Sequence, residues 1–542
     1  MGLFQPDAGR GCSDGAPVKG FFTAGPTDDG DAVTGHYYEV ASPDPARAQV
    51  WIYPAALSYA PGEVLVLHAM SSAPEATLTI TRDGAHPEVM LKTRLATRFA
   101  PTPFAASESG CDWPEVLRLA IPDDWQSGVY RLKVAIPGHA SEGMFVLRAQ
   151  SPQAKILMLL TTGTWCAYND WGGSNHYQGL TGPAQGDFAA HVSLLRPWAT
   201  GFVAWPDGAP RIPHASALLT KPRYPHMDYA RARGISKKYA SSGWAAFERP
   251  FALWCEGQGI ALDYATQHDL HRNRGALDGY DRVLIVGHDE YWTWQMRDHL
   301  EGWLDRGGQL ARFAGNFFWQ TRLSDDLATQ TCFKTTAEVA DPLAHTDRIT
   351  SYWDHPAIGR PAAATMGLTG AAGVYAGWSR CAAHGSGGFA IYRPAHWALR
   401  GTGLGYGDVL GAAAKIFAYE VDGIDYTMHH GLPFAAKDVG LQGDLTIVGL
   451  SPATALSHHT GPHDRDRFIG AGDAEDLALR IYGGITPEAV ARAAQGNGCM
   501  AEYRRGKGAV FNAASCEWVA GLIERERAVE HVTRNILLGD WA

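Results

Sequence analysis

Residues 287–292 (GHDEYW) place an imidazole, two carboxylates and a phenol directly after the apolar run VLIV. In open α/β sheets, ligands bind at the turns that follow the carboxyl ends of the strands. Hydrolases of this architecture usually present Ser or Cys at such a turn, whereas this turn offers Tyr291. Because a phenol is a poor nucleophile at its free pKa of about 10, Tyr291 is predicted to be a metal ligand or a proton donor. The alternative is that Asp289 and Glu290 cap the next helix and Tyr291 packs in the core.

The next apolar run, QLARFAG at 309–315, ends in a second candidate group. Gly315 allows close backbone approach, and Asn316 could donate a hydrogen bond to an oxyanion. The following aromatic residues, FFW at 317–319, would wall a dry pocket. An Asn after a strand is also a common turn former, so this alternative stays open.

A third candidate is Glu420, in the run IFAYEVDGID at 416–425. Read as a strand, this run places Glu420 and Asp422 on one face and the aromatic residues on the other. Carboxylates within an aromatic-rich run need a cation or solvent near them. Glu420 is therefore a candidate metal ligand, and a solvated strand face is the alternative.

Motifs of several common enzyme classes are absent from the sequence. It contains no HExxH, no GxSxG, no phosphate-binding GxxxxGK[ST] and no GxGxxG that opens a helix after a strand. The eight cysteines include no CxxC pair, which excludes zinc ribbons, thioredoxin-type motifs and iron–sulfur clusters. These absences leave a ligand set of oxygen atoms as an open possibility.

The composition of the chain excludes several classes of protein. The chain has 542 residues, of which 46% are hydrophobic and 19% charged, and this excludes intrinsic disorder. The net charge of −10 includes no cluster of Lys or Arg, so neither nucleic acid nor a membrane surface is expected as a partner. No apolar run approaches 18 residues and no secretory signal is evident, so we expect a cytoplasmic location.

Residue composition and the pattern of apolar residues predict a β-domain ahead of a larger α/β domain. Residues 1–40 are rich in Gly, Asp and Pro and predict an N-terminal arm. Residues 41–150 contain short alternating runs separated by turns, which favours an immunoglobulin-like β-sandwich. The predicted strands are AQVWI at 48–52, VLVLH at 64–68, ATLTIT at 76–81, VLRLAI at 116–121, GVYRLKVAI at 128–136 and MFVLR at 144–148.

Residues 151–542 alternate strands with helices and predict a doubly wound, flavodoxin-like or amidotransferase-like α/β catalytic domain. KILMLL at 155–160 is a continuous apolar run, as expected of a strand covered on both faces. Residues 281–315 give strand, turn, helix and strand, a βαβ unit. The apolar stripe of its helix comprises Met296, Leu300, Trp303 and Leu304.

Four segments in series resemble the large (beta) subunit of the N,N-dimethylformamidase family. They are AKILMLLTTGTWCAYNDWGG at 154–173, Tyr264 with the following DLH at 269–271, the segment from GHDEYW to NFFW at 287–319, and GKGAVFNAASCEWVAGL at 506–522. The likeness extends from about residue 110 to residue 542. It implies hydrolysis of a small or N-substituted, formamide-like amide.

The resemblance also implies a mononuclear Fe(III) site held by two tyrosinates and one glutamate. Matched by motif, these ligands are Tyr264, Tyr291 and Glu420. Three anionic oxygen ligands suit a hard trivalent ion. The ion would polarise the amide carbonyl and activate water, with assistance predicted from His288, Glu290 and Asn316, and more weakly from Glu502.

Two other functions remain open at this point. One is a metal-free hydrolase or transferase of the amidotransferase-like superfamily that uses Glu290, Glu420, Cys166 or Cys516. The other is a carbohydrate-binding protein. We expect a homo-oligomer. Family members with an additional lectin-like region associate with a small subunit, and the short arm of this chain leaves such a partner in question.

Overall fold

The computed structural model describes residues 22–24, 35–180, 188–211, 225–373, 375–376, 387–454 and 473–541. The predicted N-terminal arm, 1–40, lies mostly outside the described residues. Its described part contains strand β1 (Phe22–Ala24), which pairs in antiparallel fashion with β2 (Tyr37–Glu39).

The segment from residue 41 to 150 forms two sheets, and all six strands predicted there are confirmed. The order of the five-stranded sheet is β4-β10-β9-β6-β7, and that of the three-stranded sheet is β3-β5-β8. Whether this topology is immunoglobulin-like stays a prediction. The elements are β3 (Val50–Pro54), β4 (Ser58–Tyr59), β5 (Val64–Ser71), β6 (Glu75–Arg82), β7 (Glu88–Ala96), α1 (Ala106–Ser109), β8 (Glu115–Ala120), β9 (Gly128–Ile136) and β10 (His139–Leu147).

The two sheets enclose an apolar cluster that follows the two-residue period of their strands. In β6, Ala76, Leu78 and Ile80 are buried, whereas Thr77 and Thr79 between them are half-buried. Such alternation is what a strand with one covered face requires.

The remainder of the chain contributes the other strands that the structure describes. They are β11 (Ile156–Leu160), β12 (His191–Ser193), β13 (Leu262–Thr266), β14 (Arg282–His288), β15 (Tyr291–Thr293), β16 (Gln309–Gly315), β17 (Trp319–Leu323), β18 (Thr329–Thr331), β19 (Tyr375–Ala376), β20 (Phe389–Ile391), β21 (Val409–Leu410), β22 (Tyr419–Glu420), β23 (Tyr426–His429), β24 (Leu432–Ala435), β25 (Asp444–Thr454), β26 (Gln495–Arg505) and β27 (Gly508–Asn512).

Within the described residues, nine of these strands form one mixed sheet of order β13-β11-β14-β16-β27-β26-β25-β20-β21. Neighbouring strands from β13 to β27 run parallel, and those from β27 to β21 run antiparallel. The carboxyl ends of β11, β14, β16 and β27 therefore meet at one edge of the sheet, where a binding site is expected.

Short helices cover the faces of this sheet. Among the described residues, no helix is both long enough and apolar enough to span a bilayer. The helices are α2 (Thr162–Tyr168), α3 (Pro225–Arg233), α4 (Glu248–Gly257), α5 (Gln267–Arg272), α6 (Trp294–Asp305), α7 (Ala337–Ala340), α8 (Ala363–Met366), α9 (Gly370–Gly373), α10 (Asp473–Ile481), α11 (Pro487–Ala493), α12 (Trp518–Ile523) and α13 (Arg527–Leu538).

The predicted βαβ unit is confirmed as β14, α6 and β16. Thr293 caps α6, with its hydroxyl accepting a hydrogen bond from the Met296 backbone. The stripe Met296, Leu300, Trp303 and Leu304 is buried in the cluster that covers one face of the sheet. Because Thr293 caps the helix, the alternative that Asp289 and Glu290 do so is wrong.

The prediction of a regular strand over residues 416–425 is wrong. Only β22 forms there, and Tyr419 adopts a φ of 65°. A left-handed residue interrupts the alternation of a strand. Glu420 and Asp422 consequently contact different partners, and both are buried rather than solvated.

The core continues across the predicted boundary at residue 150. The Trp171 ring packs edge-on against Trp51 and Trp113, with centroids 5.5 Å and 5.6 Å away. Polar contacts cross the same interface, because the Ser127 hydroxyl accepts a hydrogen bond from the Tyr264 backbone at 2.9 Å. The two-sheet segment is thus joined to the rest of the chain by apolar contacts at Trp171 and by a polar contact at the edge strand β13.

The ion pair between Asp83 and Arg249 provides a test of that interface. Asp83 is fully buried and lies 2.7 Å from the Arg249 guanidinium and 2.8 Å from the Trp244 indole nitrogen. We predict that Asp83→Asn lowers the free energy of unfolding by about 1.5–3 kcal/mol, because a buried charged hydrogen bond is lost. Thermal unfolding of the variant and the parent protein measures this loss.

This loss should depend on pH. Burial alone would raise the pKa of Asp83, but hydrogen bonds from Arg249 and Trp244 lower it below its ordinary value. The stabilisation is therefore complete above about pH 4 and disappears as the pH falls through the lowered pKa of the folded state. Glu142→Gln, in the half-buried Arg131 pair, is the control and should change stability by at most about 1 kcal/mol. Equal effects of the two substitutions would contradict the prediction.

Candidate active site

The carboxyl end of β14 places His288 in a cluster of polar side chains. Gly287 precedes it with a φ of 83°, and a Cβ there would lie 2.3 Å from the Phe247 side chain, so only glycine fits. The His288 ring donates a hydrogen bond from Nδ1 to the Ser241 carbonyl oxygen at 2.9 Å. This bond directs Nε2 towards the centre of the cluster.

Two carboxylates face Nε2 of His288. The nearest oxygen of Glu420 is 2.5 Å away and that of Glu290 is 3.3 Å away. Burial alone would lower the pKa of His288, but the charge of Glu420 and hydrogen bonds to both carboxylates raise it to about 10. These contacts favour the imidazolium form of His288 at neutral pH.

The two carboxylates have pKa values that are shifted in opposite directions. Burial raises the pKa of Glu420, and the adjacent charge of Glu290 raises it further, although His288 opposes both effects. For Glu290, burial acts in the same direction, but His288 and Lys334 outweigh it and lower its pKa. Such a divergence is typical of a pair in which one group stays ionised and the other carries protons.

Phenols surround Glu290. Tyr177 lies 2.7 Å from each carboxylate oxygen of Glu290 and donates its hydroxyl proton to them, and Tyr291 donates to the Tyr177 oxygen at 3.0 Å. The Tyr168 ring lies 4.5 Å from that of Tyr177, and the Trp319 indole donates to Glu290 at 2.8 Å. Burial raises the pKa of all three phenols, and the charge of Glu290 adds to this shift.

Two lysines lie over these aromatic rings. Nζ of Lys334 is 3.4 Å from the centroid of the Tyr177 ring, and Nζ of Lys238 is 4.6 Å from it. Burial lowers the pKa of Lys238 to about 8. Lys238 lies near both glutamates and Lys334 lies near Glu290, so the two cations offset part of the negative charge.

Asn316 follows β16 and orients Glu420. Its φ is 64°, a left-handed conformation that Asn tolerates better than most residues. Its amide nitrogen donates to Glu420 at 2.6 Å. Tyr419, immediately before Glu420, is also left-handed, and such strain persists only where the surrounding structure enforces it.

Arg312 connects the turn after β14 to the segment that carries Glu420. The guanidinium is fully buried, lies 2.8 Å from Asp289 and also forms an ion pair with Asp422. Asp422 accepts a further hydrogen bond from the Phe317 backbone at 2.9 Å. Asp289 and Asp422 are thus structural residues, each one or two positions from a glutamate of the cluster.

The structure does not bring Tyr264 to this cluster. Its ring packs against Trp244 at 6.2 Å, and the charges that act on it belong to Glu256, Arg82 and Asp83 at the interface with the two-sheet segment. Tyr264 lies in the middle of β13 and lines a cavity of about 820 Å³ at that interface. The prediction that places it with Tyr291 and Glu420 is therefore corrected.

The other predicted residues do converge. His288, Glu290, Asn316 and Glu420 are joined by direct contacts, and Tyr291 reaches Glu290 through Tyr177. Glu502 lies elsewhere, bonded to His396 and Trp397. The sequence-based reasoning missed Tyr168, Tyr177, Lys238 and Lys334. A signal existed for the first two, because they lie in or just after the AYNDWGG motif.

The thiol-based alternative has little support. Cys516 lies beside Glu420 and His288, and Cys166 is buried in α2. Burial raises the pKa of both thiols. A protonated thiol is a weak nucleophile.

Comparison with known proteins identifies the family of the chain. Residues 77–531 match the family described as N,N-dimethylformamidase beta subunit-like, C-terminal. The chain belongs to this family. The matched range contains every residue of the cluster.

A curated relative supports the assignment. The N,N-dimethylformamidase beta subunit of Paracoccus aminophilus is 26% identical over 225 residues. This match covers 39% of the present chain and 28% of the relative. The chain thus matches only about a quarter of that protein's length.

The role of Arg312 can be tested by removing its charge. Arg312→Met leaves two buried carboxylates unpaired, and we predict a loss of about 3–5 kcal/mol in stability. Arg312→Lys keeps the charge but not the two-pronged geometry, so its loss should be smaller. Thermal unfolding measures both, and an unchanged melting temperature for Arg312→Met would contradict the role assigned here.

Proposed function

We propose that this protein is an amidohydrolase that cleaves the C–N bond of a small or N-substituted, formamide-like amide. The observation that carries the proposal is the buried arrangement of His288 between Glu290 and Glu420 at the carboxyl end of β14. Family membership supports the reaction class. Amide hydrolysis needs a base for water, a proton for the leaving amine and stabilisation of an oxyanion.

In this proposal Glu420 is the group that moves protons. Its raised pKa suits a carboxylate that takes a proton from water and then gives it to the departing nitrogen. The hydrogen bond from Asn316 holds the carboxylate in place. The His288 imidazolium contributes fixed positive charge beside it.

Glu290 has a different role, because its pKa is lowered and it stays ionised. Its oxygens are already engaged by Tyr177 and Trp319. It therefore anchors the cluster. Buried aromatic residues, among them Trp319 and Tyr352, limit water and favour an apolar or N-alkylated substrate.

The donor set around Glu290 fits a hard trivalent cation, and we propose Fe(III). A carboxylate and phenol oxygens meet within hydrogen-bond distance in a buried site, and all of them are ligands that hard ions prefer. The phenols are neutral without a cation, because burial raises their pKa values. Bound Fe(III) would supply Lewis acidity that polarises an amide carbonyl.

This proposal revises the ligand assignment made from motifs. Glu290 replaces Glu420, because a phenol oxygen contacts the Glu290 carboxylate, whereas the His288 ring and the Asn316 amide contact Glu420. Tyr177 replaces Tyr264, which lies elsewhere. The second phenolate is Tyr291 or Tyr168, the two phenols adjacent to Tyr177. A partner subunit, as the name of the relative suggests, is likewise a proposal for this chain.

The role of Glu420 predicts a specific loss of activity. Glu420→Gln should lower kcat for hydrolysis of N-alkylated formamides by about 10²–10⁴-fold, because the proton carrier is removed. Iron content should be retained. Glu502→Gln, on β26 and outside the cluster, is the matched control and should keep kcat. Activity that survives in Glu420→Gln would refute its role as proton carrier.

The ligand set predicts a pattern among Tyr→Phe variants. Fe(III) bound to phenolate gives a visible charge-transfer band, so Tyr177→Phe and Glu290→Gln should lose both colour and stoichiometric iron. Exactly one of Tyr168→Phe and Tyr291→Phe should lose them as well. Tyr264→Phe is the control and should keep both. Loss of iron in Tyr264→Phe, with iron kept in Tyr177→Phe, would restore the motif-based assignment and contradict this one.

A further inference from the structure

Beside the oxygen-rich cluster, the structure places a different set of three ligand types together. A ring nitrogen of His288, a carboxylate oxygen of Glu420 and Sγ of Cys516 all lie within 4.8 Å of one another, and all three residues are buried. Nothing in the hydrolytic scheme uses Cys516. The set combines nitrogen, oxygen and sulfur, which suits zinc and other thiophilic divalent ions more than a hard trivalent one.

The backbone holds Cys516 against Glu420. The Cys516 amide donates to the Glu420 carbonyl at 3.1 Å. The backbones of Glu420 and Cys516 both pack on Gly315. A Cβ at that position would lie 2.3 Å from the Glu420 carbonyl oxygen and 3.0 Å from the Cys516 nitrogen. The backbone hydrogen bond and the packing on Gly315 thus hold Glu420 and Cys516 next to each other.

The surrounding bonds orient the ligand atoms. His288 donates Nδ1 to the Ser241 carbonyl, which leaves Nε2 as the ligand atom, a frequent arrangement for metal-bound histidine. Asn316 orients Glu420 in the same manner. Zinc binds nitrogen, oxygen and sulfur at about 2.0–2.3 Å, so one ion can reach all three atoms after small side-chain rotations.

We propose that His288, Glu420 and Cys516 form a second metal site, which binds Zn²⁺ or a similar thiophilic divalent ion. The ion takes the place of the proton between His288 and Glu420. Binding releases that proton and the thiol proton of Cys516 to solvent, and the metal keeps its oxidation state. Three protein ligands leave one position of a tetrahedral site open.

Occupancy of this site should inhibit the enzyme. This consequence rests on the proposed function, in which Glu420 must be free to carry protons. Binding itself does not depend on that function. The two statements can therefore fail separately.

Metal binding by the full chain tests the site directly. Zinc and iron are measured in the same dialysed samples after addition of Zn²⁺, and Co²⁺ is used as a spectroscopic probe. We expect one Zn²⁺ per chain without loss of iron, and a Co²⁺–thiolate charge-transfer band. Cys516→Ala and Cys516→Ser should bind Zn²⁺ at least about ten-fold more weakly and lack the band.

Cys332→Ala is the matched control, because Cys332 is also buried near Tyr291 but lies outside the set. It should bind Zn²⁺ like the parent protein. The use of both Ala and Ser at position 516 keeps the test valid if one variant fails to fold, as judged by circular dichroism. Equal binding by the parent and a folded Cys516 variant, no thiolate band, or zinc that only displaces iron would each overturn the proposal.

Inhibition is tested separately from metal binding, by measuring amide hydrolysis with Zn²⁺ bound. If Zn²⁺ binds with the thiolate band and amide hydrolysis falls in the parent but not in Cys516→Ser, the inhibitory role is supported. If Zn²⁺ binds in this way and hydrolysis continues, the metal site stands and the role of Glu420 as proton carrier is contradicted.

Discussion

The buried contact of Arg312 with Asp289 and Asp422 is the interaction on which the site depends. Asp289 is flanked by His288 and Glu290, and Asp422 lies two residues after Glu420. A single guanidinium on β16 therefore connects the segment that carries Glu290 to the segment that carries Glu420. Because an unpaired charge in the core is costly, the ends of β14 and β16 and the segment around Glu420 are held in one arrangement.

Within that frame, the groups that can ionise to anions outnumber the protein cations near them. Glu290 and Glu420 meet three or more ionisable phenols, against His288, Lys238 and Lys334. Burial keeps the phenols protonated, and the hydrogen bonds from Tyr177 satisfy Glu290 in that state. A cation of high charge would reverse this balance and ionise them. The chain thus presents a site whose protonation and metal content are coupled.

His288 divides the centre into two chemically different halves. Towards Glu290 the ligands are oxygen atoms, and towards Glu420 they include the sulfur of Cys516. Hard and thiophilic ions are expected to prefer different halves. An ion in the second half would engage Glu420 without displacing an ion from the first.

Much of this arrangement follows from the sequence. Apolar runs predicted six of the ten strands described within the first 150 residues, and helix periodicity predicted the βαβ unit. The grouping of His288, Glu290 and Asn316 was also predictable, because parallel strands share an edge at their carboxyl ends. The identity of the tyrosine that contacts Glu290 could not be predicted from the sequence. Tyr177 reaches Glu290 from an irregular segment after α2, 113 residues away in the chain, and no local period encodes such a contact. The orientation of the Glu420 side chain could not be predicted for a similar reason, because the left-handed Tyr419 breaks the strand pattern.

Anomalous diffraction at the iron absorption edge, from crystals of the iron-loaded protein, tests the central claim most directly. A single peak should lie between the Glu290 carboxylate and the Tyr177 phenol oxygen, with either Tyr168 or Tyr291 as its second phenol neighbour. A peak beside Tyr264, a peak among His288, Glu420 and Cys516, or full amide hydrolysis by crystals without any iron peak would contradict the account.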